Sequence, residues 1–389
     1  MTEFEALTLD GYAARSALTD QRRGSSALSF ALLGLFGETG SLLSELKKKQ
    51  RDRTTYLGYA DAVVEELGDV LWYLSSLCRQ SRIDLSAVAR SALSAGAPGL
   101  KPDPSLTFHA LQPAVMQLAR EPTASFERTL LRLATRVGEL VQEYETVAKR
   151  KRAARLQSLT EVMRCLIQAA TEAGLTIEAA AVKNLHKIFD RWPSERIYPA
   201  PFDEGLAAEE TLPRTMTIDV FERVVDGRAF VFQRSNGVNV GDRLTDNAPV
   251  PDDYRFHDVF HYAYTAVLGW SPVLRSLLRL KRKSLPAIDE AEDGARAMLI
   301  EEGVTTWLFG QAQQLRYFEG MRRGELPLDM LKGVREFVAG YEVERCPLWL
   351  WEEAILQGYA AFRFLCEKRQ GRVTIEFKHR RLRVGEMPS

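Results

Sequence analysis

A mainly α-helical fold with an α+β C-terminal part is predicted by three features of this 389-residue sequence. Up to about residue 198 prolines are few and apolar residues recur at the 3.6-residue spacing of helices with one buried face. Residues 199–213 interrupt that pattern with prolines, a glycine and acids, and read as a linker. Thr215–Gln233 is then rich in β-branched and aromatic residues split by Asp226-Gly227, a hairpin signal. The length suffices for two or three separate cores.

The helical part carries an internal repeat, with copies at about 28–94 and 128–192. Phe36–Glu45 aligns with Ala134–Glu143, and Arg82–Val88 with Gly174–Ala180; each copy has a basic run, Lys47–Arg51 and Lys149–Arg152, in the corresponding place. Ala95-Gly96-Ala97-Pro98-Gly99 reads as a turn after the first copy. Beyond the hairpin, helices are expected over about 253–268, 289–317 and 348–367, and Arg372–Phe377 is expected as a strand returning to the sheet, so 214–389 forms an α+β domain.

Composition narrows the function classes. Fifty-two basic and 52 acidic residues give no net charge, so a general basic field for nucleic acid is absent and small anionic ligands fit better than long polyanions. Cys78, Cys165, Cys346 and Cys366 lack paired metal-ligand spacing and are too few for a disulfide framework. The apolar run from Ala27 to Phe36 is well short of the roughly 20 residues that span a bilayer. A soluble cytoplasmic protein without membrane partners is expected; its oligomeric state is open.

The chemistry concentrates on two helical segments. Glu38 and Glu45 lie two turns apart on one, and Glu65 and Glu66 lie four and three residues before Asp69 on the next, spacings that share a helix face. Carboxylates on the buried side of an amphipathic helix need neutralisation, and two such helices facing each other make an oxygen cage suited to Mg²⁺, with Mn²⁺ as a substitute. Ordinary solvated helix faces are the competing reading. Gly68 argues against it, because glycine is poor inside a helix but useful where backbones approach closely; Gly40 sits at the equivalent place on the first segment.

These residues resemble the MazG-like all-α nucleoside triphosphate pyrophosphohydrolases, whose motif runs Glu-x-x-Glu, a spacer, then Glu-x-x-Asp. Glu66 and Asp69 match the second pair inside Glu65-Glu66-Leu67-Gly68-Asp69, and Glu38 opens the first, but Ser41 stands at its partner position. Glu45, one turn on, is the candidate replacement. Asn184, Lys187 and Arg191 match the family's closing Asn-x-x-Lys-x-x-x-Arg helix, which the resemblance assigns to nucleotide contact; Lys48 is a further candidate for phosphate. The implied fold is a helical bundle with a tandem, partly degenerate repeat, and the implied reaction is metal-dependent cleavage between the α- and β-phosphates of a nucleoside triphosphate or related nucleotide, giving a monophosphate and pyrophosphate. Glu38 or Glu65 would orient the water. In the second copy Gln157–Glu161 leaves too few acids for a cage, so one composite site is expected.

A second constellation lies in the C-terminal part: His257, Asp258 and His261, with Glu301 and Glu302 on the following long helix. Histidine with carboxylate suits a transition metal, whereas a buried polar network is the plain alternative. The basic stretch Leu280–Lys283 with Arg275 and Arg279 reads as a solvated helix face, and Gly237–Asp242 as a turn. Two other functions stay open: a catalytically weak nucleotide-sensing or regulatory module, consistent with Ser41, and chemistry centred on His257 and His261 with the helical part serving oligomerisation.

Overall fold

The computed structural model describes residues 6–20, 22, 24, 26–94, 101–112, 121–142 and 152–387. They form two compact units, Met1–Phe189 and Asp190–Ser389. The turn expected at Ala95–Gly99 and the basic residues Lys149–Lys151 lie outside the described residues.

The first unit is helical. Helix α1 (Leu9–Ala17) starts at Thr8, whose hydroxyl accepts from Gly11 N at 3.0 Å, satisfying one of the amides that a helix start leaves free. The long helices α2 (Ser26–Asp52) and α3 (Tyr59–Gln80) are followed by the shorter α4 (Leu85–Leu93), and the long–long–short order recurs in α5 (Ala124–Gln142), α6 (Arg152–Glu172) and α7 (Ile177–Arg191). Helix α2 packs on α3 and α5, and α6 on α3, α4 and α5.

The core is aliphatic, with Leu35, Leu42, Leu67, Leu71, Leu74, Leu133, Val137, Val162 and Leu166 fully buried. Each such side chain contributes about 1.5–3 kcal/mol by leaving water. By length and composition α2 could cross a bilayer. In this unit its buried stripe, Ala31, Leu32, Leu35, Leu42 and Leu46, instead joins the aliphatic core.

The second unit packs helices on an antiparallel sheet ordered β3-β2-β1-β4-β5. Strands β1 (Thr215–Val225) and β2 (Arg228–Ser235) form the hairpin expected around Asp226-Gly227. Both turn residues have positive φ, as a two-residue turn matching strand twist requires. The returning strand is β4 (Gln370–Glu376), paired with β1 from Thr215 opposite Glu376 to Phe221 opposite Gln370, with β5 (Arg381–Gly385) beyond it and the two-residue β3 (Val238–Asn239) at the other edge. Ile218, Val220, Val231, Val373 and Ile375 supply the sheet's side of the core. Helices α8 (Asp258–Val267) and α13 (Leu348–Lys368) pack together and on β4 and β5. Between them come α9 (Pro272–Leu278), α10 (Pro286–Ala291), α11 (Ala295–Gln314) and α12 (Leu328–Phe337).

Three expectations change here. Residues 199–213 pack into the second unit: buried Asp203 accepts from Arg275 Nη2 at 2.7 Å, from Leu212 N at 2.8 Å and from Arg214. The helix expected from 289 to 317 is broken: a short helix ends at Ala291, Gly294 is extended, and the long helix runs from Ala295 to Gln314. The basic stretch is a solvated face only in part: Arg279 and Lys283 are exposed, but two of its arginines are buried. Arg275 and Arg282 are 2% and 1% exposed, and Arg282 reaches Asp293 at 2.7 Å and Glu342 at 2.8 Å.

Candidate metal centre

Helices α2 and α3 each present an acidic edge to the other. Glu38 from α2 and Glu66 and Asp69 from α3 each offer a carboxylate oxygen within 4.8 Å of the others. Glu66 Oε2 is shielded from solvent and has no hydrogen-bond partner. Burial, then Asp69 and Glu38, push the Glu66 carboxyl up to about 7, as expected where like charges crowd and leave water. Such a group attracts either a proton or a cation.

Helix α7 also reaches the acids of α3. Asn184 Nδ2 donates to Asp69 Oδ1 at 2.9 Å, and Lys187 Nζ bridges Glu65 Oε1 at 2.8 Å and Asp69 Oδ2. The approach depends on Gly68: a Cβ there would stand 2.6 Å from Ala180 O and 2.9 Å from Asn184 Cβ, distances that only a separation of the helices could relieve. Burial raises the Asp69 carboxyl despite Lys187, and the surrounding carboxylates raise the Lys187 ammonium despite its own burial. Adjacent Glu65 and Glu66 both serve the site, one held by Lys187 and the other facing Glu38.

Four expected residues are placed differently. Glu45 lies outside the carboxylate trio because Lys48 Nζ, at 2.6 Å, and the Tyr56 hydroxyl already satisfy its oxygens; Lys48 is thereby occupied as well. Arg191 does not join the acids: it belongs to the second unit, where Nη2 donates to the carbonyls of Gly324 and Leu326 at 3.1 and 2.6 Å. Gly40 is not a counterpart of Gly68, since a Cβ there would meet nothing within 4 Å. In the second copy Glu139 and Glu161 are ion-paired with Arg136 and Arg164.

Sequence reasoning also missed Tyr12. Its fully buried hydroxyl donates to Asn184 Oδ1 at 2.8 Å, which turns the amide so that its NH₂ faces Asp69. Tyr12 precedes the repeat, and no local pattern links it to a residue 172 positions away.

The C-terminal constellation is assembled within the second unit. His257 immediately precedes α8 as its cap residue and His261 lies one turn on; with Glu302 of α11 they place ligand atoms within 4.8 Å of one another. His261 Nδ1 meets Glu301 Oε1 at 2.8 Å, and Glu301 also accepts from Ser271 Oγ and Val273 N. Burial alone would lower the His261 imidazolium, but Glu301 and Glu302 raise it well above its ordinary value. Thus Asp258 and Glu301 sit around the trio, Glu301 as the partner of His261.

Residues 28–94 match the MazG nucleotide pyrophosphohydrolase domain, and residues 197–388 match the MazG C-terminal domain. The chain belongs to the MazG family. A relative in Mycobacterium phage L5, the Gene 37 protein, is 37% identical over 68 residues, 17% of this chain. The MazG chain spans 60% of the length of that relative. No solved structure matches it. Within the matched N-terminal segment stand Glu38, Glu65, Glu66 and Asp69, whereas Asn184 and Lys187 come to the same acids from outside it.

The donors fit a hard dication. All are carboxylate oxygens, as Mg²⁺ prefers, and the unpartnered Glu66 Oε2 is the atom a cation would satisfy. Ser41 remains the departure from the family pattern, so the first pair supplies Glu38 alone to the trio.

Proposed function

We propose that this MazG protein is a metal-dependent nucleoside triphosphate pyrophosphohydrolase, cleaving between the α- and β-phosphates to give a monophosphate and pyrophosphate. The observation that carries the reading is the trio Glu38, Glu66 and Asp69, with a shielded, unpartnered Glu66 oxygen beside Lys187 and Asn184. Glu38, Glu66 and Asp69 would hold Mg²⁺ or Mn²⁺, which supplies neutralisation of phosphate charge and activation of water. Glu38 or Glu65 orients the attacking water. Lys187 holds Glu65 and Asp69 in place and supplies positive charge next to the phosphates; Asn184, fixed by Tyr12, positions Asp69. A cytoplasmic setting and nucleotide substrates without nucleic acid or membrane partners accompany this reading.

A second reading, nucleotide sensing without turnover, is favoured by Ser41 at a ligand position. Pyrophosphate release from a panel of canonical and modified nucleoside triphosphates, with Mg²⁺ or Mn²⁺, separates the two. The hydrolase reading expects release in wild type and its loss in Glu66→Ala and Asp69→Ala. Metal-dependent nucleotide binding without product in wild type would replace it with the sensor.

A further inference from the structure

The second unit brings together a group of ligand atoms of different chemistry. We propose that His257 Nε2, His261 Nε2 and Glu302 bind one transition-metal dication of the zinc, manganese or iron class, with Asp258 beside His257 as an outer partner.

The tautomers are set for this. His261 Nδ1 sits against the buried Glu301 carboxylate at 2.8 Å, and His257 Nδ1 against the carbonyl of Tyr254 at 2.8 Å. Each Nδ1 is thus provided with an acceptor, which keeps a proton there and makes Nε2 the nitrogen that gives up its proton to a metal. Glu301 is itself fixed by Ser271 Oγ at 2.7 Å and Val273 N at 2.8 Å, so the ring it orients has little freedom. The Tyr254 ring, stacked on His257 at 4.3 Å and 2°, fixes the second imidazole.

The inner atoms converge. His261 is fully buried, and its Nε2 lacks a hydrogen bond of adequate geometry, standing 3.3 Å from Glu302 Oε1. His257 Nε2 lies 3.2 Å from Asp258 Oδ1 and 4.0 Å from Glu302 Oε2. Metal bonds of about 2.0–2.2 Å separate neighbouring ligand atoms by about 3 Å, so most of this set is already spaced for one ion.

Asp258 is oriented by a hydrogen-bonded chain. The Tyr262 hydroxyl donates to Gln233 Oε1, which turns the Gln233 NH₂ to Asp258 Oδ2 and leaves Oδ1 toward His257. Two imidazoles with carboxylates favour transition metals over Mg²⁺, which prefers oxygen alone. The Glu302 side chain is 40% exposed and gives the ion a way in.

The test uses the full chain, stripped with chelator and titrated with Co²⁺, reading visible absorption and competition by Zn²⁺. A background of Glu66→Gln with Asp69→Asn removes the oxygen trio of the first unit from the signal. The expected result is one Co²⁺ per chain with nitrogen-ligand bands, displaced by Zn²⁺, and lost in His257→Ala and Glu302→Gln. Glu301→Gln, which retains every ligand, should weaken binding about 10–100-fold. Far-UV circular dichroism of each variant verifies folding, and Glu302→Gln, conservative and partly exposed, keeps the test valid should His257→Ala unfold. Absence of a Co²⁺ band in the folded background protein, or a band unchanged in both ligand variants, would overturn the proposal and leave a structural ion network.

Discussion

Replacing Glu66 by Gln should stabilise the metal-free protein while abolishing hydrolysis. The folded chain pushes the Glu66 carboxyl from its ordinary 4.5 up to about 7, by burial first and then by Asp69 and Glu38. The folded state therefore holds a proton that the unfolded chain releases. Stability from that protonated form is fully present below about pH 4.5 and is lost as pH rises through about 7. A rise of about 2.5 units, the difference between those values, corresponds to about 3.4 kcal/mol at about 1.36 kcal/mol per unit. Glu66 is only half-buried, and solvent screening reduces the expectation to about 1–2 kcal/mol.

Native-state hydrogen exchange of α3 amides in EDTA provides the measurement, because it reads opening of this helix separately from the second unit. At pH 8 the Glu66→Gln variant should exceed wild type by about 1–2 kcal/mol, with the difference shrinking toward pH 5. Added Mg²⁺ should stabilise wild type and not the variant. Equal or lower opening energies for the variant at pH 8 in EDTA, with its helical content intact, would refute the argument that Glu66 is a strained, cation-seeking carboxylate.

Three other perturbations probe the framework. Gly68→Ala places a methyl against the Ala180 carbonyl and Asn184 Cβ; denaturant titration should show a loss of about 1–3 kcal/mol, with a fall in pyrophosphate release as α7 is displaced. Lys187→Met strips the counter-ion from Glu65 and Asp69 and should cost about 1–3 kcal/mol in EDTA, with saturating Mg²⁺ recovering part of it; thermal melts with and without the ion would show whether the recovery occurs. In the second unit, Arg282→Leu removes the main partner of buried Asp293, which keeps only Arg275 at 3.7 Å, and of half-buried Glu342, a loss of about 3 kcal/mol that hydrogen exchange should place in that unit, sparing α3.

The site was legible in the sequence where it is local. Glu66 and Asp69 share a helix face because three residues nearly complete a turn, and the glycine between them marked a close approach that the structure fills with Ala180 and Asn184. Histidines four apart were readable for the same reason. Glu45 and Lys48 misled because an intrahelical pairing uses the same spacing as convergence on a ligand. Arg191 misled because a motif position carries no information about which packed unit claims the end of its helix. The basic stretch misled because charge predicts exposure unless partners distant in sequence, here Asp203, Asp293 and Glu342, are folded around it.

Residue spacing by itself determined the long helices, the hairpin at Asp226-Gly227 and the two acidic helix faces, since those follow from periodicity and turn chemistry within a few residues. Only the tertiary structure decided which oxygen of the acidic trio lacks a hydrogen-bond partner, that Tyr12 sets Asn184, and that Glu301 orients His261 while Glu302 faces its Nε2. Desolvation and hydrogen-bond pairing depend on side chains from helices far apart in sequence, and those become neighbours only when the cores close.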